Sequence, residues 1–438
     1  MSAPKISAPR GTFDVLGPEA RQRAELERAA TEILQGAGYE RIETPCFEAT
    51  ELFARGVGES TDIVSKEMYT FKDGSDRSLT LRPEGTAPVC RAYVEHGMQK
   101  RPQPVKLWYL GSFFRYERAQ KGRYRQFWQV GAEALGSDDP ALDAESIVLL
   151  RELLLRMGAK DLRLRLASLG GAETRASYRE LLQAHLRANE ESLSEDVRAR
   201  IELNPLRAFD SQHPGTLAAM KQAPLLLDHL DVQDRDHFAQ VKSLLDAVNV
   251  PYQVDPTLVR GLDYYERTVF EFTSDALGAQ SGVGGGGRYD GLVAQLGGPQ
   301  TPGIGWAAGV ERILLAGGQE PPQPRSLDVY ICVADSDRGD GERSTPSGGA
   351  WAGLRSGVRE RAFMLLGALR SVGLRVEMEQ AGRSLKGQLT QADRRGARYA
   401  AIFDGEGSAL RDLRGGGQRE LDHDALLQEL QTLLSADA

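Results

Sequence analysis

The stretch LVRGLDYYERTVFEF, from Leu258 to Phe272, leaves the chain little freedom of fold. Thr268, Val269, Phe270, Glu271 and Phe272 have the β-branched and aromatic alternation of a half-buried strand, while Arg260, Asp263, Tyr264 and Tyr265 gather polar groups at its mouth. Arg260 brings a planar cation with a fixed fork of donors. Taken singly, these residues fit an ordinary hairpin with a salt-bridged arginine and core tyrosines; taken together, they put chemistry ahead of packing. A second constraint follows at once in SGVGGGGRYDGLVAQLGG. Gly282, Gly284 and Gly287 formally satisfy G-x-G-x-x-G, but no βαβ unit surrounds them and they run into Arg288 and Tyr289, which excludes a dinucleotide site. A strand stripped of side chains instead lets a ligand lie against the backbone.

With 438 residues, 41% of them hydrophobic, the chain can build two or three domains with cores of their own. No apolar run approaches the roughly 18 residues of a membrane span, and MSAPKISAPRGTFD lacks the apolar centre of a signal peptide, so a cytoplasmic protein without membrane contact is expected. Cys46, Cys90 and Cys332 are widely separated and read as reduced thiols. A net charge of −8 argues against indiscriminate coating of nucleic acid, though local basic patches still attract phosphates.

In chain order, Glu19 to Ala37 is an amphipathic helix on Leu26, Ala29, Ala30, Ile33, Leu34 and Ala37, capped at Gly38 and followed by a strand over Tyr39 to Thr44. Asp73 and Gly74 signal a hairpin. The strand that ends in LRPEGTAPV holds Glu84 and Thr86 where a helix begins, either to grip an ammonium or as a capping threonine beside a solvated glutamate. Lys106 to Arg115 and Gln126 to Ala134 are strands around a loop with Arg118, Lys121, Arg123 and Arg125, more cations than solubility requires beside the single Glu117. Arg115 suits bidentate phosphate binding, and the loop with Gln120 and Tyr124 suits an RNA end. A helix over Asp138 to Met157 and a strand over Leu162 to Leu169 lead into a mostly helical segment that reaches about Pro251. Thr301 to Leu315 is a glycine-rich strand, then a helix that starts near Glu311 and Arg312, where phosphate or adenine could be met. Ala316 to Arg325 is a Gly/Pro-rich linker, beyond which alternating strands and helices make a small α/β domain. Residues 335–357 are a Gly/Ser/Asp-rich insertion expected to be disordered.

Long helix, strand and Pro45 resemble motif 1 of the class II aminoacyl-tRNA synthetases, Val105 to Glu133 resembles motif 2, and TPGIGWAAGVERILL resembles motif 3. RGLDYY and GGGRYDGL resemble the two histidine-specific segments of the histidyl-tRNA synthetases, and GRSLKGQLTQADRRGARYA from Gly382 resembles their anticodon-binding tail. The family often has Cys or Ala ahead of the glycines, where Val283 and Gly284 stand here. The resemblance implies an α+β class II catalytic core, an antiparallel sheet flanked by helices, over 1–325 with a helical insertion at about 170–250, and an α/β anticodon-binding domain over 326–438.

It further implies a histidine–tRNA ligase: ATP as substrate, Mg²⁺ as cofactor, L-histidine and tRNA(His) as partners, and a homodimer through motif 1. Arg115 and Arg260 would clasp the α-phosphate, with Arg312, Glu117 and Arg123 on the nucleotide. Glu84, Thr86 and Gln129 would bind the histidine ammonium, Glu133 and Tyr265 the imidazole, and Tyr264 and Tyr289 would line the pocket with Arg260. Arg118, Gln120 and Lys121 would meet the acceptor end, and Arg383 and Lys386 the anticodon. Metal ligands are left open. A non-catalytic histidine sensor shares this core, but retention of Arg115, Arg260, Arg312 and the tail speaks against it. Substitution Arg260→Ala is expected to lower adenylation on the order of 10²-fold, as loss of a transition-state donor does; near-normal pyrophosphate exchange in that variant would remove Arg260 from the mechanism.

Overall fold

The computed structural model describes residues 6–58, 61–118, 120, 122–259, 262–278, 281–318, 320, 326–334, 356–404 and 407–435. Two compact units divide the chain at 322/323. The expected disordered insertion falls, up to residue 355, outside the described residues, as do Arg260 and Lys121.

The first unit opens with α1 (Gly17–Gly36), which has a proline in its first turn and buries Leu26, Ala29, Ala30, Ile33 and Leu34 of the predicted stripe, while Ala37 follows the helix and is half-buried against the same core. The chain then turns at Gly38, in the left-handed region at φ 83°. The strand expected over 39–44 is shorter: only β1 (Glu40–Arg41) pairs, in parallel, with a later strand. Next come β2 (Phe47–Ala49), α2 (Thr50–Val57) and the hairpin β3 (Thr70–Lys72), β4 (Ser78–Leu81), which form a small sheet in the order β2-β4-β3. After α3 (Thr86–Glu95) follow β5 (Val105–Phe114), β6 (Gln126–Leu135), α4 (Pro140–Arg156) and β7 (Leu162–Ser168). The helical segment holds α5 (Ala172–Ala188), α6 (Glu195–Arg200), α7 (Pro214–Met220) and α8 (Val232–Ala247). Then come β8 (Gln253–Val254), β9 (Glu266–Ser274), β10 (Gly282–Arg288), α9 (Leu292–Gln295), β11 (Gly303–Gly309) and α10 (Val310–Gly317).

The main sheet has eight strands in the order β1-β5-β6-β11-β10-β9-β7-β8, antiparallel except where β1 meets β5 and β8 meets β7. Side chains alternate between its faces. Trp108, Val130, Ala132, Phe270, Phe272, Ile304 and Trp306 point to one face and share a core with the buried stripes of α1, α4, α8 and α10. Within the segment expected as an insertion, α8 belongs to this main core through Phe238, Val241 and Leu245, whereas α5 to α7 enclose their own core around Tyr178, Leu182, Val197 and Ala219. The division follows the apolar faces: α8 reads as one more helix on the sheet.

The second unit contains β12 (Val329–Val333), α11 (Ser356–Ser371), β13 (Val376–Met378), α12 (Leu385–Arg394), β14 (Tyr399–Phe403), β15 (Ser408–Asp412), β16 (Gln418–Leu421) and α13 (His423–Ser435). Its five strands run β13-β12-β14-β15-β16, parallel over the first three and antiparallel beyond. The last two strands and α13 were not read from the sequence; glycines flank the two strands, whereas α13 carries a leucine stripe, Leu426, Leu427, Leu430, Leu433 and Leu434, on the core.

One polar tie sits inside the first unit. Arg288 and Asp143 both have 0% side-chain exposure and meet at 2.6 Å, and Arg288 also donates to the carbonyls of Ser137 and Asp139. This fastens β10 to α4 at the end of the glycine run. Truncation Arg288→Ala would leave Asp143 buried without its cation, and urea unfolding should show a loss of about 3–5 kcal/mol. A loss under about 1 kcal/mol, the scale of a surface pair, would show that the tie is dispensable.

Candidate active site

The face of the sheet turned away from the main core is nearly bare. On β11, Ile304, Trp306 and Ala308 enter the core, so that Gly303, Gly305, Ala307 and Gly309 leave the opposite face open. Gly305 pairs with Glu133 of β6, and a β-carbon at 305 would fall 1.7 Å from a Glu133 oxygen. Glycine is what lets that carboxylate lie across the neighbouring strand.

Glu133 is fully buried, at 0% exposure. It accepts hydrogen bonds from the hydroxyls of Thr86 at 2.7 Å, Tyr289 at 2.6 Å and Tyr109 at 3.4 Å. Burial pushes its pKa up to about 8, against the pull of the Tyr289 and Thr86 hydroxyls and with a smaller push from Glu84. Glu84, at the entry to α3, accepts from the amides of Thr86 at 2.8 Å and Ala87 at 3.0 Å and from the Tyr264 hydroxyl at 3.4 Å. Burial raises its pKa as well, with the two amides opposing. The alternative of a capping threonine beside a solvated glutamate is therefore reversed. Glu84 caps the helix, which frees the Thr86 hydroxyl for Glu133. Tyr264 packs edge-on against Tyr265 and Tyr289, with ring centroids 4.8 and 5.8 Å away.

Two cavities open on this face. The smaller, about 170 Å³, is walled by Glu84, Thr86, Tyr109, Tyr264, Tyr265 and Gly285. The larger, about 410 Å³, is walled by Glu117, Arg123, Glu271, Arg312 and the backbone of Gly282 to Gly284. Arg115, Gln129 and Ala307 line both, so the cavities are contiguous. The Gln129 side-chain oxygen is buried without a hydrogen-bond partner, a polar atom that asks for a ligand.

The cations of the larger cavity are held from behind. Arg115 donates to the Pro83 carbonyl at 2.9 Å and lies over the Phe127 ring, its outer nitrogen 4.0 Å from Glu117. Arg123 pairs with the same carboxylate at 3.3 Å. Arg312 donates to the carbonyls of Gly282 at 2.5 Å and Gly122 at 3.4 Å, and burial, then Arg123, lowers its pKa. Its neighbour Glu311 lines the same cavity and accepts from the Trp128 amide and from Arg23 of α1 at 2.8 Å. Among the described residues no cluster of three or more metal-ligating side chains occurs; Glu117 and Glu271 are carboxylates that face the larger cavity.

Of the residues singled out from the sequence, Glu84, Thr86, Arg115, Gln129, Tyr264 and Tyr265 share the smaller cavity, while Glu133 and Tyr289 stand behind its wall. Glu117, Arg123 and Arg312 share the larger cavity. Arg118 and Gln120 are exposed on the hairpin loop. In the second unit Lys386 is exposed and Arg383 is paired with Glu379 at 3.1 Å. Tyr109 was missed; its signal was its alternate position to Leu107 in VKLWYLGSFF, on the face opposite Trp108.

An antiparallel sheet flanked by helices, whose bare face joins a small buried pocket to an arginine-lined cleft, is the architecture of the class II aminoacyl-tRNA synthetases. The sequence model of the family described as histidyl-tRNA synthetase matches residues 11–313. The chain is 48% identical over 434 residues to the histidine–tRNA ligase of Corynebacterium diphtheriae, covering 98% of each, and 48% identical over 423 residues to that of Moorella thermoacetica, covering 95% of each. The crystal structure of apo histidyl-tRNA synthetase from S. aureus superposes with a TM-score of 0.77 at 34% identity, covering 97% of this chain and 100% of that one. The chain belongs to the histidyl-tRNA synthetase family.

Folding raises the Glu133 pKa from the ordinary 4.5 to about 8, so the native state holds this proton more tightly than the unfolded chain. The resulting stability is complete below about pH 4.5 and is lost as pH rises toward about 8. Melting temperatures should accordingly fall more steeply between about pH 5.5 and about pH 8.5 for the wild type than for Glu133→Gln, which has no such proton to lose. Parallel curves would show that Glu133 is ionised throughout.

Proposed function

We infer that this chain is a histidine–tRNA ligase, which activates histidine with ATP to histidyl-adenylate and pyrophosphate and then transfers the histidyl group to the 3′ end of tRNA(His). The observation that supports this most is the junction of the two cavities at Arg115 and Gln129. An amino acid in the smaller and a nucleotide in the larger would meet there. A carboxylate oxygen attacks the α-phosphorus, the bond to the bridging oxygen breaks, and pyrophosphate leaves. A terminal ribose hydroxyl of the tRNA then takes the acyl group and AMP departs.

Such phosphoryl chemistry calls mainly for positioning and for cations around developing negative charge. Arg115 is assigned to the α-phosphate, with Arg260 opposite it on the strength of its motif. Arg123, Glu117 and Arg312 are assigned to the rest of the nucleotide. Mg²⁺ would neutralise triphosphate charge, with Glu117 and Glu271 the carboxylates available to it.

Glu84, Thr86 and Gln129 are assigned to the ammonium of histidine, and the unpartnered oxygen of Gln129 supports this. Tyr264, Tyr265 and Tyr289 would enclose the ring. Glu133 would act on the imidazole from behind the wall, through the hydroxyls it orders. A wrong amino acid would leave such buried groups unpaired, a source of about 10⁴ to 10⁵ in discrimination. Arg118, Gln120 and Lys121 are assigned to the acceptor end, and residues 326–438 to the anticodon, with Arg383 and Lys386 as contacts. We assign residues 1–325 to catalysis, α5 to α7 to a clamp on the acceptor arm, and α1 with β1 to a homodimer interface. Among the described residues no helix is long and apolar enough to cross a membrane, and a cytoplasmic location is the proposal consistent with that.

The test is ATP–pyrophosphate exchange with each of the twenty amino acids in the absence of tRNA. Exchange driven by histidine alone is expected. Exchange with a different amino acid would move the specificity to another ligase, and histidine binding without exchange would make the chain a sensor.

A further inference from the structure

The turn that carries Tyr264 and Tyr265 is not held by the catalytic sheet alone. Asp263, the residue before them, is gripped from the helical insertion: the Asn204 side-chain amide donates to its carboxylate at 2.8 Å. Arg175 of α5 donates to its backbone carbonyl at 3.2 Å. On its other side the Asp263 amide donates to the Val57 carbonyl at 3.3 Å. The Asp263 side chain lies flush on Gly58, where φ is 100° and a β-carbon would come within 2.7 Å of a carboxylate oxygen. A second strut runs parallel, from Arg200 of the insertion to Asp62 at 3.0 Å, four residues beyond Gly58.

Asn204 is itself well fixed. Its amide donates to the Arg200 carbonyl at 2.8 Å, and it starts the 3₁₀ turn Pro205–Asp210, whose ring of Pro205 and side chain of Ala208 are buried in the insertion. The donor that reaches Asp263 is therefore set by how the insertion packs. Between the two bodies lies a cavity of about 550 Å³, bounded by Arg175, Arg179, Asn204 and Arg207 on one side and by Leu262 and Tyr265 on the other. Leu262 and Tyr265 also line the small pocket of the active site. The same two side chains thus separate the insertion from the amino-acid site.

We propose that Asn204 is a positioning residue for amino-acid binding: its hydrogen bond to Asp263 sets the Tyr264–Tyr265 turn, so that the seating of the helical insertion and the affinity for histidine are coupled. This rests on the reading of the small pocket as the histidine site. The ATP cleft shares no wall with the turn among its described residues, so the effect falls on one substrate. A group misplaced by about 1 Å through a mutation away from the reacting centre costs up to about 10²-fold, and a smaller displacement costs less.

Pyrophosphate exchange on the full chain tests this, with KM measured separately for histidine and for ATP. Asn204→Asp sets a carboxylate against Asp263 and is expected to raise the KM for histidine about tenfold or more, with the KM for ATP within about twofold. Asn204→Ala should act in the same direction and less strongly. The double variant Asn204→Asp/Asp263→Asn restores one donor facing one acceptor and should recover most of the loss, which a merely structural role would not predict. The proposal is overturned if the single variants leave both constants unchanged, if both constants rise together, or if the double variant fails to recover. A fall in melting temperature with unaltered KM for histidine would likewise reduce Asn204 to a structural contact. Wild-type chain that shows no histidine-dependent exchange would defeat the histidine-site reading itself, and the coupling with it.

Discussion

A carboxylate buried without exposure is costly unless its oxygens are hydrogen-bonded, and Glu133 obtains its donors from three distant parts of the chain. Thr86 stands at the start of α3, Tyr109 on β5 and Tyr289 after β10. Satisfying this one group therefore requires the small pocket to be assembled. Two of its donors, Thr86 and Tyr109, are also walls of that pocket, and Tyr289 stands behind them. The absence of a side chain at Gly305 is the steric condition for the arrangement. Glycines elsewhere on β10 and β11 extend the same bare face toward the larger cleft.

The two cavities differ in electrostatics. In the small one, burial raises the pKa of both Glu84 and Glu133 and so favours their neutral forms. In the larger one, Arg115, Arg123 and Arg312 converge with Glu117 between two of them. Backbone carbonyls of Pro83, Gly282 and Gly122 hold Arg115 and Arg312, so that little of their side-chain entropy remains to be lost on binding.

Behind this face the protein uses polar contacts to fasten strands to helices. Arg288 and Asp143 tie the glycine run to α4, and Arg267, at φ 46°, is drawn to Asp234 of α8 at 3.1 Å. Asp234 also receives the Gly171 amide and the Thr174 hydroxyl at the start of α5. The segment from 262 to 274 is thus braced on one side by the sheet and on the other by helices, and its aromatic pair faces the pocket between them.

Much of this was legible along the chain. Alternation marked β9, strand-like runs around a basic loop marked β5 and β6, a glycine-rich run marked β11, prolines and glycines marked the ends of α1 and α3, and Arg115, Glu84, Tyr264 and Tyr265 stood out because charged and aromatic groups crowded the mouths of apolar strands. These are local properties, carried by spacing over a few residues. The tertiary structure alone decided what meets what: Thr86 and Glu133 are 47 residues apart, Asn204 and Asp263 are 59 apart, and Tyr289 and Glu133 are 156 apart. It also decided that α8 joins the main core while α5 to α7 do not, and that Glu84, not Thr86, caps α3. Periodicity records which face of an element is apolar, but the partner of a polar side chain depends on strand order and close packing, which no short stretch of sequence contains.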